Sequence, residues 1–456
     1  MPAPEASLTT VGTTERAPLS HNQEFLCMFD RGDSAGPFGP YYHIAGGWRI
    51  SGRVDVDDLH RSLDDVIVRH EALRTVVVRE GSDRHQRILP PSPVTLVVQE
   101  VPGVDRVHRD LRCQDILNDL EAQPYPIGAP PLLRAFLWRF DHDDALFVIQ
   151  AHHTAADAWS IQLIMREVVI GCAARAGHPV PTLADAGQYQ DFARWQRSTG
   201  SSGGEHAHDD YWREKLRGGG VLALPTDWPR SLKGPQASAW HRFTIDRADA
   251  DMALEIARKT HSTAFMVYLA AYLVCLRRTM NESNAVVPTF TTGRPKRFQH
   301  TIGSFFNLLP LRTDLTGCRT FVDVVDRTRQ TCIEAYTREI PFGRIVELVP
   351  EVAAPLARDD TTMFNFQAER TLFAAEGERI GELTCTEVRR RVSAPVGGDV
   401  PDGSLWTMSI APGADTVGCL AFNTNRYDVM TAAEMVIDFA RGFRGLVNDP
   451  DRPLTG

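Results

Sequence analysis

The segment "QAHHTAADAWSIQL", residues 150–163, sets His152 and His153 side by side, with Asp157 four residues beyond His153. An apolar run ends here and an amphipathic stretch begins. Three chemistries fit these residue types. A metal site would use His153 and Asp157 on one helix face, but His152 would point elsewhere and no HExxH or second cluster supplies further ligands; no metal is expected. A structural reading makes the histidines packing groups at a strand end and Asp157 the N-cap of a following helix. In a catalytic reading the strand delivers a histidine that is neutral near pH 7 and accepts a proton from an alcohol or amine. Free N–H groups where the helix starts, at Ala158 and Trp159, then face a developing oxyanion. The sequence has no GxSxG, and Ser160 falls one turn into the helix, so direct transfer between two bound substrates is expected rather than a covalent enzyme intermediate.

Such a site needs elements to hold it. "LLRAFLWRF" and "DALFVIQAHH" read as two strands joined by the acidic turn "DHDD". After the motif, Ile161, Ile164, Met165, Val168 and Cys172 fall on one helical face. Upstream, Leu59, Leu63, Val66, His70 and Leu73 recur at helical spacing, and "TVVVRE" then reads as a strand. Gly and Pro break the pattern across Ala174 to Gly187, the expected crossing between an N-terminal lobe, 1–182, and a C-terminal lobe, 183–456. "STGSSGGEHAHDD" reads as a low-complexity loop. The second half has a helix pair over 248–280, strands at "AVVPTF", "LWTMSI" and "GCLAFNTN", and a closing helix with Thr431 as N-cap. The fold class expected is α/β, an α+β two-layer arrangement of two similar lobes with a cleft or tunnel between them.

Composition narrows the function classes. The 456 residues are 43% hydrophobic, enough for two ordinary cores. With 49 Lys+Arg against 58 Asp+Glu and no basic block, nucleic acid is an unexpected partner. The longest apolar run, Ala264 to Leu276, is too short for a bilayer; it reads as a buried helix capped by Ser262. The opening "MPAPEASLTTVGTTERAPLS" shows no secretory signal, and eight cysteines without CxxC spacing read as reduced packing thiols of a cytoplasmic protein.

The motif resembles the HHxxxDG signature of condensation domains of nonribosomal peptide synthetases, within the chloramphenicol-acetyltransferase-like superfamily. Other segments resemble the family in the expected order: "SHNQEFLCM", "RHEALRT" at Arg69 to Thr75, "YQDFARWQ" at Tyr189 to Gln196, "LPTDWPR", "TTGRP" at Thr291 to Pro295, "IGSFFNLLPLR" at Ile302 to Arg312, "MFNFQ" at Met363 to Gln367 and "NDPDRPLTG". The resemblance spans essentially the whole chain, leaving no length for an adenylation or carrier domain. It implies two acetyltransferase-like lobes in a V around a tunnel. An aminoacyl or acyl donor, tethered by phosphopantetheine to a carrier protein acting in trans, enters one end; a small-molecule acceptor enters the other, and no cofactor is bound by the enzyme itself.

By that resemblance His153 is the general base or the group that positions the acceptor, His152 is scaffold, and Asp157 is structural, paired with Arg294. A buried carboxylate beside a histidine needs such a cation to stay ionised. Ala158 stands where the family has glycine, a strain only if φ is positive. Trp159 and Met165 read as core, with Trp159 also at the oxyanion side; Phe305, Phe306 and Trp406 are candidate tunnel lining. The resemblance leaves competing readings: a docking module that recruits another enzyme, as in family members that have lost the motif, or an epimerisation domain. Retention of His153 speaks against the first. The expected function is a free-standing condensation enzyme forming an ester or amide in natural-product biosynthesis, of the type that acylates enediyne cores.

Overall fold

The computed structural model describes residues 15–81, 83–128, 130–201, 206, 208–232, 237–371, 377–396 and 403–454. Residues 1–14 of the opening stretch, 202–205 and 207 of the low-complexity loop, and 455–456 of the closing motif lie outside the described residues.

The chain forms a mixed α/β structure around two large sheets. In the first, six strands run in the order Glu378–Ile380, Leu383–Glu387, His43–Ser51, Asp144–His152, Leu133–Asp141 and Thr95–Glu100. Asp144–His152 is buried along its whole length, because both of its edges are paired and both of its faces covered. Helices Val56–Arg69 and Ala158–Arg175 cover one face, enclosing Trp48, Ile50, Phe147 and Ile149. Helix Arg109–Ala122 covers the other, against Leu146 and Val148. A Cβ at Gly46 would come within 2.6 Å of Ile161 Cγ2, so glycine lets the helix that follows the histidines rest directly on the strand backbone.

The second large sheet orders Asn307–Asp314, Asn284–Thr291, Thr361–Arg370, Gly403–Ile410, Thr416–Asn423, Ser238–Ile245 and Ala394–Val396, with Ala223–Pro225 paired to Thr361–Arg370. Helices Arg247–Lys259, Ala264–Met280, Phe321–Tyr336 and Val429–Asn448 pack on it to form the larger core. Strands Glu378–Ile380 and Leu383–Glu387 leave this half of the chain to join the first sheet, which is thus assembled from both halves.

Several local expectations are corrected. The helix from Ala264 is capped by Thr263, not Ser262, and the closing helix by Asp428, not Thr431. His70 and Leu73 do not continue the helix; it ends at Arg69, where Nε2 of the extended His70 lies 2.9 Å from Glu167 Oε2, and Glu71–Arg74 forms a 3₁₀ turn. Trp406 is 3% exposed and packs among Tyr272, Phe243 and Phe439, so it belongs to the larger core and lines no open channel. Strand alternation explains this: Trp406 and its partner Phe366 share the face turned to the helices. All eight cysteines are free thiols, seven of them buried. No helix among the described residues is long and apolar enough to cross a membrane.

The two sheets are joined by a buried ionic strut. Arg242, on Ser238–Ile245, donates to Asn118 Oδ1 at 2.9 Å, Val392 O at 2.7 Å and Glu121 Oε2 at 3.2 Å; Arg390 reaches the same Glu121 oxygen at 2.6 Å. Removing the carboxylate would strand two neighbouring guanidinium groups. Glu121→Ala is expected to destabilise the fold by about 3–5 kcal/mol, read as a lower midpoint in chemical denaturation.

Candidate active site

Register delivers the two histidines. Strand Asp144–His152 pairs antiparallel with His43–Ser51, His152 opposite His43, and the next pair is completed when His153 N–H donates to Tyr42 O at 2.8 Å. The chain then turns through Thr154–Ala156 and enters helix Ala158–Arg175 at its N-cap, Asp157.

The histidines have different environments. His152 is buried, and both its ring nitrogens are engaged: Nε2 meets Gly39 O at 3.2 Å and Nδ1 meets Thr154 Oγ1 at 2.7 Å. A carbonyl only accepts, so the proton sits on Nε2 and Nδ1 accepts from the threonine hydroxyl. Burial pushes its proton affinity down, to a pKa of about 4. His153 is half-buried and stacks on Tyr42, ring centroids 4.9 Å apart and planes at 19°. Its Nδ1 is sealed from solvent without a hydrogen bond of good geometry, and no described residue hydrogen-bonds Nε2. Burial again lowers its proton affinity, only partly opposed by its own carbonyl, Asp157 and the Ala156 carbonyl. The imidazole is held neutral, the form that accepts a proton.

Asp157 does not touch the imidazole; it is spent on structure. Oδ1 accepts from Ser160 N at 2.7 Å, capping the helix, and Oδ2 accepts from Phe305 N at 3.1 Å. Arg294 Nη2 lies 2.8 Å from Oδ2 and 3.0 Å from Oδ1, with side chains only 5% and 14% exposed. The guanidinium is itself cradled. Nη1 donates to Phe298 O at 3.2 Å and to Thr301 O, Nη2 to Ser160 Oγ at 3.1 Å, and the cation sits 3.8 Å above the Phe305 ring. The backbone closes the same contact, Asp157 N donating to Gly303 O at 3.1 Å and Ser160 Oγ to Gly303 O at 2.8 Å.

The structure thus brings together His152, His153, Asp157 and Arg294. Phe305 is corrected from tunnel lining to platform: it is 3% exposed, packed with Tyr189, Phe192 and Phe298 beneath Arg294. Trp159 is corrected from core: it is 37% exposed, its Nε1 donating to Gln299 O at 2.9 Å across to the Arg294 segment, while Met165 is core as expected. Phe306 is half-buried against Phe25 and Phe290. Ala158 is the first helical residue and is not among the positive-φ positions, so the missing motif glycine strains nothing.

Sequence reasoning missed Tyr42 and Glu387, and it weighed Ser160 only as a nucleophile, whereas the structure makes its hydroxyl a partner of Arg294 and Gly303. Gln162, one turn past Asp157, accepts from Trp48 Nε1 at 2.8 Å and donates to Glu387 Oε1 at 3.0 Å. Burial raises the proton affinity of Glu387. Strand register was the available signal for Tyr42.

These features define a class. The condensation-domain model matches residues 14–387, and the chain belongs to that family, whose members work on carrier-bound acyl groups in nonribosomal peptide synthesis. A linear gramicidin synthase from Brevibacillus parabrevis is 30% identical over 458 residues, covering 98% of this chain and 6% of the relative. Chondramide synthase cmdD from Chondromyces crocatus is 32% identical over 376 residues, covering 81% of this chain and 9% of the relative. The chain therefore spans less than a tenth of the length of either synthase. Among solved structures, SgcC5 from Streptomyces globisporus is 44% identical with a TM-score of 0.91, covering 96% of this chain and 100% of SgcC5; it was crystallised with (R)-(-)-1-(2-naphthyl)-1,2-ethanediol and sucrose. The condensation domain of the Monacolin K polyketide synthase MokA, 21% identical with a TM-score of 0.76 over 97% of this chain and 100% of its own, shares the fold.

Asp157→Ala would leave Arg294 buried without its carboxylate and the helix without its cap. The expected loss is about 3–5 kcal/mol, read by denaturation and soluble yield. A variant as stable as the parent but inactive would contradict the structural assignment of Asp157.

Proposed function

We propose that this chain transfers an aminoacyl or acyl group from the phosphopantetheine thioester of a carrier protein, met in trans, to a hydroxyl or amine of a small molecule. The observation that carries this reading is His153, a neutral imidazole at a strand end with Nε2 left for a substrate proton. An acceptor hydroxyl attacks the thioester carbonyl as Nε2 takes its proton. The tetrahedral intermediate collapses with cleavage of the C–S bond, and the imidazolium returns the proton to the departing thiolate. Nothing in the sequence requires the acyl group to rest on the enzyme.

Asp157 and Arg294 hold the motif and take no part in proton transfer. An alcohol acceptor suits this base, since a hydroxyl must lose its proton as it attacks whereas a neutral amine is already nucleophilic. The aryl vicinal diol held by the 44% identical SgcC5 supports an acceptor of that kind.

The test is intact-mass detection of product from a carrier loaded with an aminoacyl group, offered aryl diols and the matching amino alcohols. His153→Ala should lower ester formation by about 10²–10⁴-fold and amide formation by less. Equal losses on both acceptors would favour positioning over base catalysis. No transfer from any loaded carrier, with tight binding of one, would point to a docking module.

A further inference from the structure

A base must be aimed as well as neutral, and in the familiar triads a carboxylate on the second imidazole nitrogen does the aiming. Among the described residues no carboxylate hydrogen-bonds His153, and only its own carbonyl and that of Ala156 act on the imidazole from the backbone. Asp157, the acid nearest in sequence, is taken up by Arg294, Ser160 N and Phe305 N, and Nδ1 of His153 has no hydrogen bond of good geometry. What contacts the imidazole face is Tyr42, 4.9 Å away at 19°.

We propose that Tyr42 is the positioning residue of this site, orienting His153 by stacking on its ring. This rests on the reading of His153 as the base. The arrangement follows from register: with His43 opposite His152, Tyr42 and His153 are the next cross-strand pair, tied by the 2.8 Å bond from His153 N–H to Tyr42 O.

The same geometry gives the first histidine work to do. Tyr42 ends a tight turn in which its N–H donates to Gly39 O at 3.1 Å. His152 Nε2 donates to that same Gly39 oxygen at 3.2 Å, and Tyr125 N–H donates to Pro40 O at 2.7 Å. The Tyr125 ring stands edge-on to His152 at 5.8 Å. A Cβ at Gly39 would meet Ala35 backbone atoms at 2.7 Å, so the turn needs glycine there. His152 therefore braces the turn that carries Tyr42, and Tyr42 faces His153. The two adjacent histidines act on one another through the neighbouring strand.

Burial holds the Tyr42 phenol far above its ordinary range, so the ring is neutral and the stack survives across the working pH range. The ring and not the hydroxyl makes the contact, which separates two variants. Tyr42→Leu removes the stack and should lower kcat by about 10–100-fold, with KM for the loaded carrier within about twofold. Tyr42→Phe keeps the ring and should recover kcat to within about threefold of the parent.

The direct readout is NMR of selectively labelled histidine. The His153 ring protons, assigned by their disappearance in His153→Ala, should be shifted upfield by the tyrosine ring current in the parent and in Tyr42→Phe, and should move back in Tyr42→Leu. If Tyr42→Leu does not fold, the shift in the parent and the kcat of Tyr42→Phe decide. An unshifted His153 in the parent, a Tyr42→Phe as impaired as Tyr42→Leu, or a folded Tyr42→Leu with full kcat beside an inactive His153→Ala would each overturn the positioning role. Full activity in His153→Ala would instead overturn the base on which it rests.

Discussion

The pairing of Asp157 with Arg294 is the constraint on which the site depends. One carboxylate caps the helix after the histidines, accepts a backbone N–H from Phe305 and neutralises a guanidinium that has almost no contact with solvent. Arg294 in turn binds two carbonyl oxygens of its own loop and the Ser160 hydroxyl, and stacks on Phe305. Both charges are desolvated, so removing either partner leaves the other with no counter-charge. Because one charge comes with the first sheet's helix and the other from the 291–305 segment, the pair fixes how the two halves of the chain meet beside His153.

The remainder of the scaffold serves the same placement. The fully buried strand Asp144–His152 sets the height of the histidines, and the glycine at 46 lets the following helix lie close enough to return Asp157 to the second half. A second tie, Arg242 and Arg390 on Glu121, holds the sheets together at a distance from the motif. The chemistry needs a neutral base. Burial supplies that for both histidines, but only His153 keeps a nitrogen free of protein partners.

Much of this was legible in the sequence. Strand patterns at 132–141 and 144–152 and the helical face from Ile161 to Cys172 depend on local periodicity, and the structure keeps them. The Asp157–Arg294 pair, 137 residues apart, was reached through resemblance, since spacing alone does not couple distant segments. Aromatic residues misled because type does not reveal direction: Phe305 and Trp406 turned inward, and Trp159 outward, according to which face of strand, loop or helix each occupies. Helix caps at Thr263 and Asp428 differ from the expected ones because several neighbouring residues have suitable side chains and the backbone turn selects among them. Tyr42 went unnoticed since its role lies in a pairing register visible only once both strands are in place.

The central claim is that a neutral His153 takes the acceptor proton during transfer. Its most direct test is the pH dependence of single-turnover transfer from a loaded carrier to an alcohol acceptor. Burial lowers the proton affinity of His153, so the active neutral form should dominate at pH 7 and be lost on acidification. The account predicts a rate that is flat near neutrality and falls through a single titration below the ordinary histidine range of about 6.5, with that titration absent in His153→Ala. A rate independent of pH down to the limit of folding, or the same titration surviving in His153→Ala, would contradict it.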